Sequence, residues 1–334
     1  MVQNLSFDQR ACFIGGPAKS GTTLLRALLD NHPELLALPQ DTDYFSTVLT
    51  KYGAEDRRAQ FDYLTKQSYA KILFGGRARP DKHDYSDFPQ EQFLAIFERV
   101  AFDPENAQRD LLVLLMESYA RVRGVPLDSI ARWVEKTPAN RNYIPQIFDR
   151  FPRAKLLVTI RDPRALLASQ IALKQRVSAR RLSVYYVIDH WRAAAKLATQ
   201  VYSGEVPGLV VPYEQLVREP AAVMEKICHF LDIVFHPEVA IHPTKVGRPW
   251  AGNSAVGVRF SEISAEQATR WEHELNEDEI GWIEWHCRDL MLEFGYEPRL
   301  LRRTLQHWLK PIRGESAHEF LKSRLYSFRR SLKR

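Results

Sequence analysis

Three features of the chain predict an α/β fold, a central parallel sheet with helices on both faces. Between Cys12 and Leu231 short apolar runs are followed repeatedly by helical patterns, the alternation that builds parallel sheets. One run, Ala154–Ile160, is dominated by Leu156, Leu157, Val158 and Ile160, as in a strand buried on both faces. At 334 residues the chain is long enough for one large domain or two smaller ones, and no break in composition demands the second.

In chain order, strands are expected near 11–15, 34–38, 155–160 and 208–212, with a further short one near 132–134. Helices are expected near 22–31, 139–150, 164–176, 181–203, 219–231 and 276–294. From Asp41 to Ile130 the pattern is helical and loop-like, with a polar Gly/Arg/Pro/Asp stretch from Gly75 to Pro89. This segment, 41–130, reads as an insertion carrying an acceptor pocket or lid, because loops on a fixed scaffold are where binding differs. The expected organisation is a domain over 1–299 that includes this insertion, followed by a tail over 300–334.

The first motif is Phe13-Ile14-Gly15-Gly16-Pro17-Ala18-Lys19-Ser20-Gly21-Thr22-Thr23, an apolar run meeting a Gly-rich turn and then a helix. That layout makes an anion cradle. Glycines let the backbone approach an anion, exposed N–H groups at the positive helix end receive it, and Lys19 adds a charge. Gly16 to Gly21 keeps the outer G-x-x-x-x-G frame of a P-loop, but Thr22 and Thr23 stand where that motif has Lys and Ser/Thr. The fold expected is therefore P-loop-like and three-layered. With its lysine inside the loop, the segment resembles the sulfotransferases that use 3′-phosphoadenosine 5′-phosphosulfate (PAPS), whose loop begins Pro, a basic residue, Ser-Gly-Thr-Thr. Ala18 is an extra residue relative to that pattern.

A second motif follows the buried run: Arg161-Asp162-Pro163-Arg164, then Ser169 two turns into a helix. A guanidinium at a strand terminus suits bidentate binding of phosphate oxygens, and ligands of such sheets sit at the strands' C-terminal ends. This arrangement is similar to the 3′-phosphate segment of the same family; the alternative is that Arg161 pairs with a carboxylate such as Asp162. Asn31-His32-Pro33-Glu34, Glu135-Lys136-Thr137-Pro138, Val211-Pro212-Tyr213-Glu214 and Gly295-Tyr296-Glu297-Pro298 look like further landmarks of bacterial and Golgi-type members, including tyrosylprotein sulfotransferases.

The resemblance implies PAPS as co-substrate, with no metal required, and a sulfuryl group passed to a hydroxyl or amine. Lys19, Ser20, Gly21, Thr22 and Thr23 would receive the phosphosulfate, and Arg161 and Ser169 the 3′-phosphate. Lys19 would also stabilise charge on the bridging oxygen. Lys136 resembles a family lysine at the reaction centre; otherwise it is half of a surface Lys–Glu pair. The base is sought just past the second strand, where Asp41 is the first choice and Asp43 the second, helix N-capping being the competing role for either. A late loop, Gly247 to Ser254, offers Arg248, Asn253 and Ser254 to complete the nucleotide site. His32 fits a structural turn and His190 a mid-helix position, so neither is taken as a base. The competing functions are a P-loop small-molecule kinase, which needs a lysine at position 22, and a nucleotide- or glycan-binding module without activity.

The formal net charge of +6 is uneven: residues 300–334 carry ten Lys or Arg and two Glu, leaving the rest of the chain at −2. Interleaved with aromatic and aliphatic residues, the tail suits an anionic membrane surface, an acidic polymer, or a helix docked on its own domain. No nucleic-acid partner is expected; the acceptor is a glycan, lipid or small molecule, with a slight tilt to glycan or lipid-linked ones. Cys12, Cys228 and Cys287 have no metal-ligand spacing and read as buried thiols of a reducing compartment. With no leader pattern at Met1–Ser6, the expectation is a cytoplasmic, bacterial enzyme, in contact with the inner membrane face through its tail.

Overall fold

The computed structural model describes residues 5–76, 85, 87–177, 186–250, 252, 263–300, 309–313 and 315–331. Five strands, β1 (Ala11–Gly15), β2 (Leu35–Ala37), β3 (Arg132–Lys136), β4 (Lys155–Ile160) and β5 (Leu209–Pro212), form one parallel sheet in the order β2-β3-β1-β4-β5. β1 is thus central, flanked by two strands that come more than a hundred residues later.

The sheet is buried on both faces because its strands alternate large apolar side chains between two cores. Cys12, Ile14, Val134, Leu157 and Val211 face a core closed by α1 (Thr22–Leu29), Tyr213–Arg218 and Pro220–Leu231. Phe13, Trp133, Leu156, Val158 and Val210 face a larger core, covered by helices of the insertion and by Pro163–Val177, Tyr186–Tyr202 and Glu277–Met291. Phe13 is its centre, with ring centroids of Phe45, Trp133 and Phe151 at 5.5, 5.7 and 5.4 Å. All three cysteines are buried, and none is in a disulfide. Burial pushes the Cys12 thiol up to about 12 and the Cys228 thiol up to about 11, so both behave as packing groups.

The insertion is helical where described. Its helix Leu111–Val122 is buried over Leu111–Ala120 and N-capped by Asp110, whose carboxylate accepts from Leu112 N at 2.9 Å. Arg150 lies 3.3 Å from the same carboxylate, which ties the insertion to the helix before β4.

The described tail packs on the domain. Its helix Ala317–Ser331 is held by Lys174–Glu319 at 2.7 Å, and Arg313 ahead of it pairs with Glu279 at 2.6 Å. Arg324 is buried against Phe320 and Trp282. The tail cations Lys310, Arg313 and Arg324 pair with Asp278, Glu279 and Glu315, as in the docked-helix alternative of the sequence reading.

Candidate active site

The loop after β1 takes the conformation that its glycines permit. Gly16 and Gly21 have φ of 153° and 91°, and a Cβ on Gly16 would lie 2.2 Å from Thr159 Oγ1, so neither position tolerates a side chain. Lys19 also lies in the left-handed region, with φ 71°. Gly21 caps α1, and Thr22 and Thr23 open it. The Ser20 hydroxyl is turned into the loop: it donates to Pro17 O at 2.7 Å and lies 2.6 Å from Thr159 Oγ1. Its side chain thus fixes the turn.

Sheet order brings the second motif to this loop. Arg161, just past β4, is buried; its Nη1 donates to Lys19 O at 2.8 Å and its Nη2 to Gln267 O. Its guanidinium lies 4.1 Å from the centroid of Tyr213, and among the described residues its buried Nε has no acceptor. Asp162 does not pair with Arg161. It binds Arg164, which also reaches Glu284 at 2.9 Å and Glu297 O at 2.9 Å, so Arg164 is a structural bridge. Ser169 is buried on Pro163–Val177.

On the other flank, β3 ends in Glu135 and Lys136, both buried. Lys136 forms an ion pair with Asp41, not with Glu135. Glu135 instead holds the segment past β2: Oε1 accepts from Thr42 Oγ1 at 2.8 Å and Thr137 Oγ1 at 2.7 Å, and Oε2 from Asn140 Nδ2 at 2.7 Å. Burial raises its pKa above the usual glutamate value, against the lowering effect of these three hydrogen bonds. Asp43 has φ 54°, and its backbone N–H donates to Thr137 Oγ1 at 3.2 Å. Burial, then the charges of Asp41 and Glu135, push its pKa up to about 6. Neither aspartate caps a helix with its side chain: Asp43 precedes the π-helical turn Tyr44–Leu49 without a capping bond.

The late loop enters differently from expectation. Thr244–Lys245 and Arg248–Pro249 pair as an antiparallel hairpin, clamped to the end of α1 by Asp30, which accepts from Thr244 Oγ1 and Gly247 N at 2.9 Å each. Arg248 is exposed and pairs with Asp87 of the insertion; Asn253 and Ser254 lie outside the described residues. The hairpin residue drawn towards the centre is Lys245, 4.7 Å from the Tyr85 centroid. Burial, with Arg26 and Lys136 nearby, lowers its pKa to about 7 against the opposing pull of Asp30 and Asp41. Tyr85 in turn receives Gln40 Nε2 at 2.6 Å, one residue before Asp41.

Of the two histidines set aside, His32 is structural: Nε2 bonds Val234 O at 2.7 Å and Nδ1 accepts from Glu34 N at 3.2 Å. A cavity of about 900 Å³ lies beyond Asp162, lined by Ile160, Pro212, Glu214, Trp271 and Tyr296 among others. It contains neither the glycine loop nor the Lys136–Asp41 pair, so it is not this centre.

A central parallel sheet thus presents, at the C-terminal ends of its middle strands, a glycine-rich loop, a buried Arg–loop link and a Lys–Asp pair. The description of the sulfotransferase family matches residues 12–237, more than half the chain. The chain belongs to the sulfotransferase family. Among curated proteins it is similar to protein-tyrosine sulfotransferase A of Caenorhabditis elegans, 26% identical over 294 residues, 86% of this chain and 67% of that protein. Protein-tyrosine sulfotransferase 1 of Danio rerio is 27% identical over 260 residues, 77% of this chain and 61% of that protein. The Drosophila melanogaster protein-tyrosine sulfotransferase is 28% identical over 257 residues, 74% of this chain and 43% of its own length. The chain spans between under half and about two thirds of these relatives. The sulfotransferase domain of a Synechococcus olefin synthase shares the fold, with TM-score 0.50 and 21% identity over 86% of this chain and 94% of that one.

These relatives correct the expected compartment. Protein-tyrosine sulfotransferases are Golgi enzymes, so the resemblance does not lead to the cytoplasm or its membrane face, nor does it single out a bacterial origin. The buried thiols read for a reducing compartment do not decide the matter, because a sealed cysteine is compatible with either. Among the described residues no helix is long and apolar enough to cross a membrane.

Proposed function

We propose that this sulfotransferase uses PAPS as donor and an acceptor hydroxyl, with Lys19, Lys136 and Asp41 at the centre. The observation that carries the reading is the bond from Arg161 Nη1 to Lys19 O at 2.8 Å, which joins the two anion motifs into one site. The residues present fit such a donor. The loop glycines let its backbone turn tightly against Arg141, Thr159 and Tyr213, and among the described residues the buried Arg161 Nε has no acceptor. The kinase alternative loses its ground, because Thr22 opens α1 where a P-loop lysine would stand.

In the transfer, a bond forms from the acceptor oxygen to sulfur, the sulfur–oxygen bond to the phosphate breaks, and the acceptor proton must be removed. The Lys19 ammonium and the helix N–H groups stabilise charge on the leaving oxygen. Asp41 takes the proton, its carboxylate held by Lys136. Asp43, lifted towards neutrality by burial, is the alternative base. Thr22, Thr23 and Ser169 complete the donor site, and the 41–130 insertion within the 1–299 domain forms the acceptor side.

Because the relatives act on protein tyrosine by name, a tyrosine phenol is the first acceptor to assay, ahead of the glycan or lipid hydroxyls suggested by the tail. The deciding experiment is calorimetric titration with 3′-phosphoadenosine 5′-phosphate, ATP and AMP, with and without Mg²⁺, followed by turnover of PAPS with tyrosine peptides. Metal-independent binding selective for the 3′-phosphorylated nucleotide, with product formed, supports the reading. Preference for Mg²⁺-ATP overturns it, and binding without turnover on any acceptor class returns the chain to an inactive nucleotide-binding module.

A further inference from the structure

Beside the anion loop lies a second buried guanidinium, Arg141, on the short helical segment Pro138–Asn142 that follows β3. Its Nη1 donates to Gly16 O at 3.0 Å and to Pro138 O at 2.7 Å. Its Nε is buried without an acceptor, and among the described residues no carboxylate pairs with it. The contact with the loop is close by construction: Gly16 N donates to Pro138 O at 3.2 Å, and a Cβ on Gly15 would lie 2.9 Å from Arg141 N.

A cation removed from water without a counter-ion is among the most costly groups a fold can hold. Burial alone accounts for the fall of its pKa to about 10, which leaves it charged at neutral pH. Two carbonyl dipoles satisfy part of the guanidinium, but among the described residues no carboxylate balances its charge.

We propose that Arg141 is a positioning residue of the donor site, whose buried charge is balanced by the ligand anion seated in the Gly15–Thr23 loop. The proposal rests on that loop being the donor site. Arg141 acts through the loop, holding the Gly16 carbonyl and adding a fixed field behind the N–H groups. It therefore costs the empty protein stability and returns it as ligand affinity.

The test compares the full chain with Arg141→Met and Arg141→Lys, by thermal melting and calorimetry, using 3′-phosphoadenosine 5′-phosphate and inorganic sulfate as probes. Arg141→Met is expected to melt no lower than the parent without ligand. Its nucleotide affinity should fall tenfold or more, its ligand-induced rise in melting temperature should shrink by at least half, and Arg141→Lys should keep most of both. Nucleotide affinity in Arg141→Met within twofold of the parent overturns the proposal, as does a lower melting temperature in its ligand-free state.

His190 supplies a readout that needs no variant. Burial and then the field of Arg141 lower its pKa to about 4, opposed by Asp189. An anion in the loop should offset that field, so the imidazole Cε1–H titration followed by NMR should move up on nucleotide binding. No movement in a saturated sample counts against Arg141. A parent protein that binds neither probe removes the donor reading itself, a result distinct from either failure above.

Discussion

Gly21→Ala tests whether the cradle is built as described, because the structure provides its own control. Gly21 and Gly204 both have left-handed backbone, φ 91° and 77°. For an L-residue that conformation costs about 1–2 kcal/mol at either position. They differ in what a methyl group meets: nothing within 4 Å at Gly204, but Tyr213 Cδ2 at 2.5 Å and Cε2 at 3.2 Å at Gly21. Overlap of that kind in a packed site adds about 1–3 kcal/mol, so Gly21→Ala should cost about 2–5 kcal/mol and Gly204→Ala about 1–2. The Tyr213 ring also lies 4.1 Å from the Arg161 guanidinium, a contact worth about 0.5–2 kcal/mol. Displacing the ring disturbs the cation assigned to the donor, and a loss of 1.4 kcal/mol would lower nucleotide affinity about tenfold. Urea denaturation of both variants gives the stability difference, and titration with 3′-phosphoadenosine 5′-phosphate gives the affinity. If Gly21→Ala is as stable as Gly204→Ala and binds nucleotide like the parent, the packing of Tyr213 on the loop is not as described.

Three further substitutions address the acceptor side. Asp41→Asn should spare nucleotide binding and lower turnover by about 10²–10⁴-fold; undiminished turnover transfers the base to Asp43. Asp43 has a folded pKa raised from 3.8 to about 6, so its stabilising contribution is complete below the unfolded value and is lost as pH rises through 6. Melting curves of Asp43→Asn should therefore match the parent near the acid end of that window and lie above it at pH 7, an ordering that parallel curves across the window would contradict. Glu135→Gln keeps the shape but gives up charge-assisted bonds from Thr42, Thr137 and Asn140. It should cost about 2–4 kcal/mol and lower turnover with it, and an unchanged denaturation midpoint would show that Glu135 is not the clamp.

The half of the centre proposed for the donor was legible because its signals are local. A buried apolar run carries its own boundaries: the expected strands 11–15 and 155–160 are β1 and β4 as observed. The glycine loop and Arg161 follow directly on those strands. The expected helix 139–150 is instead a short turn, Pro138–Asn142, followed by Ile144–Arg150; Pro145 at its second position favours a new helix start over continuation. Arg141, Glu135 and Lys245 were not picked out because their meaning is non-local. Glu135 beside Lys136 looks like a surface ion pair until β3 is buried and the lysine is seen to pair with Asp41. Lys245 is an ordinary basic residue until Asp30, more than two hundred positions earlier, clamps its hairpin. Sheet order was equally hidden, since strand neighbours depend on which crossover each connection takes.

That order explains why the two halves of the centre differ in how firmly they are held. Ile14 is in register with Lys136, and Gly15 with Val158, so the lysine and the strand leading to Arg161 each sit one strand spacing, about 4.8 Å, from the start of the anion loop. Backbone ladders on both sides of β1 set those positions, and side-chain changes nearby move them little. Asp41 has no such support. It follows β2, an edge strand of three residues that pairs with β3 alone, and it is kept in place by the bonds of Thr42 to Glu135 and by its pair with Lys136. Its other neighbours, Tyr85 and the Asp30-clamped hairpin, come from the insertion and the late loop. The side proposed for the donor is therefore fixed by the sheet, whereas the side proposed for the acceptor is assembled from side chains, and on that proposal changes in acceptor choice can accumulate there without disturbing the fold.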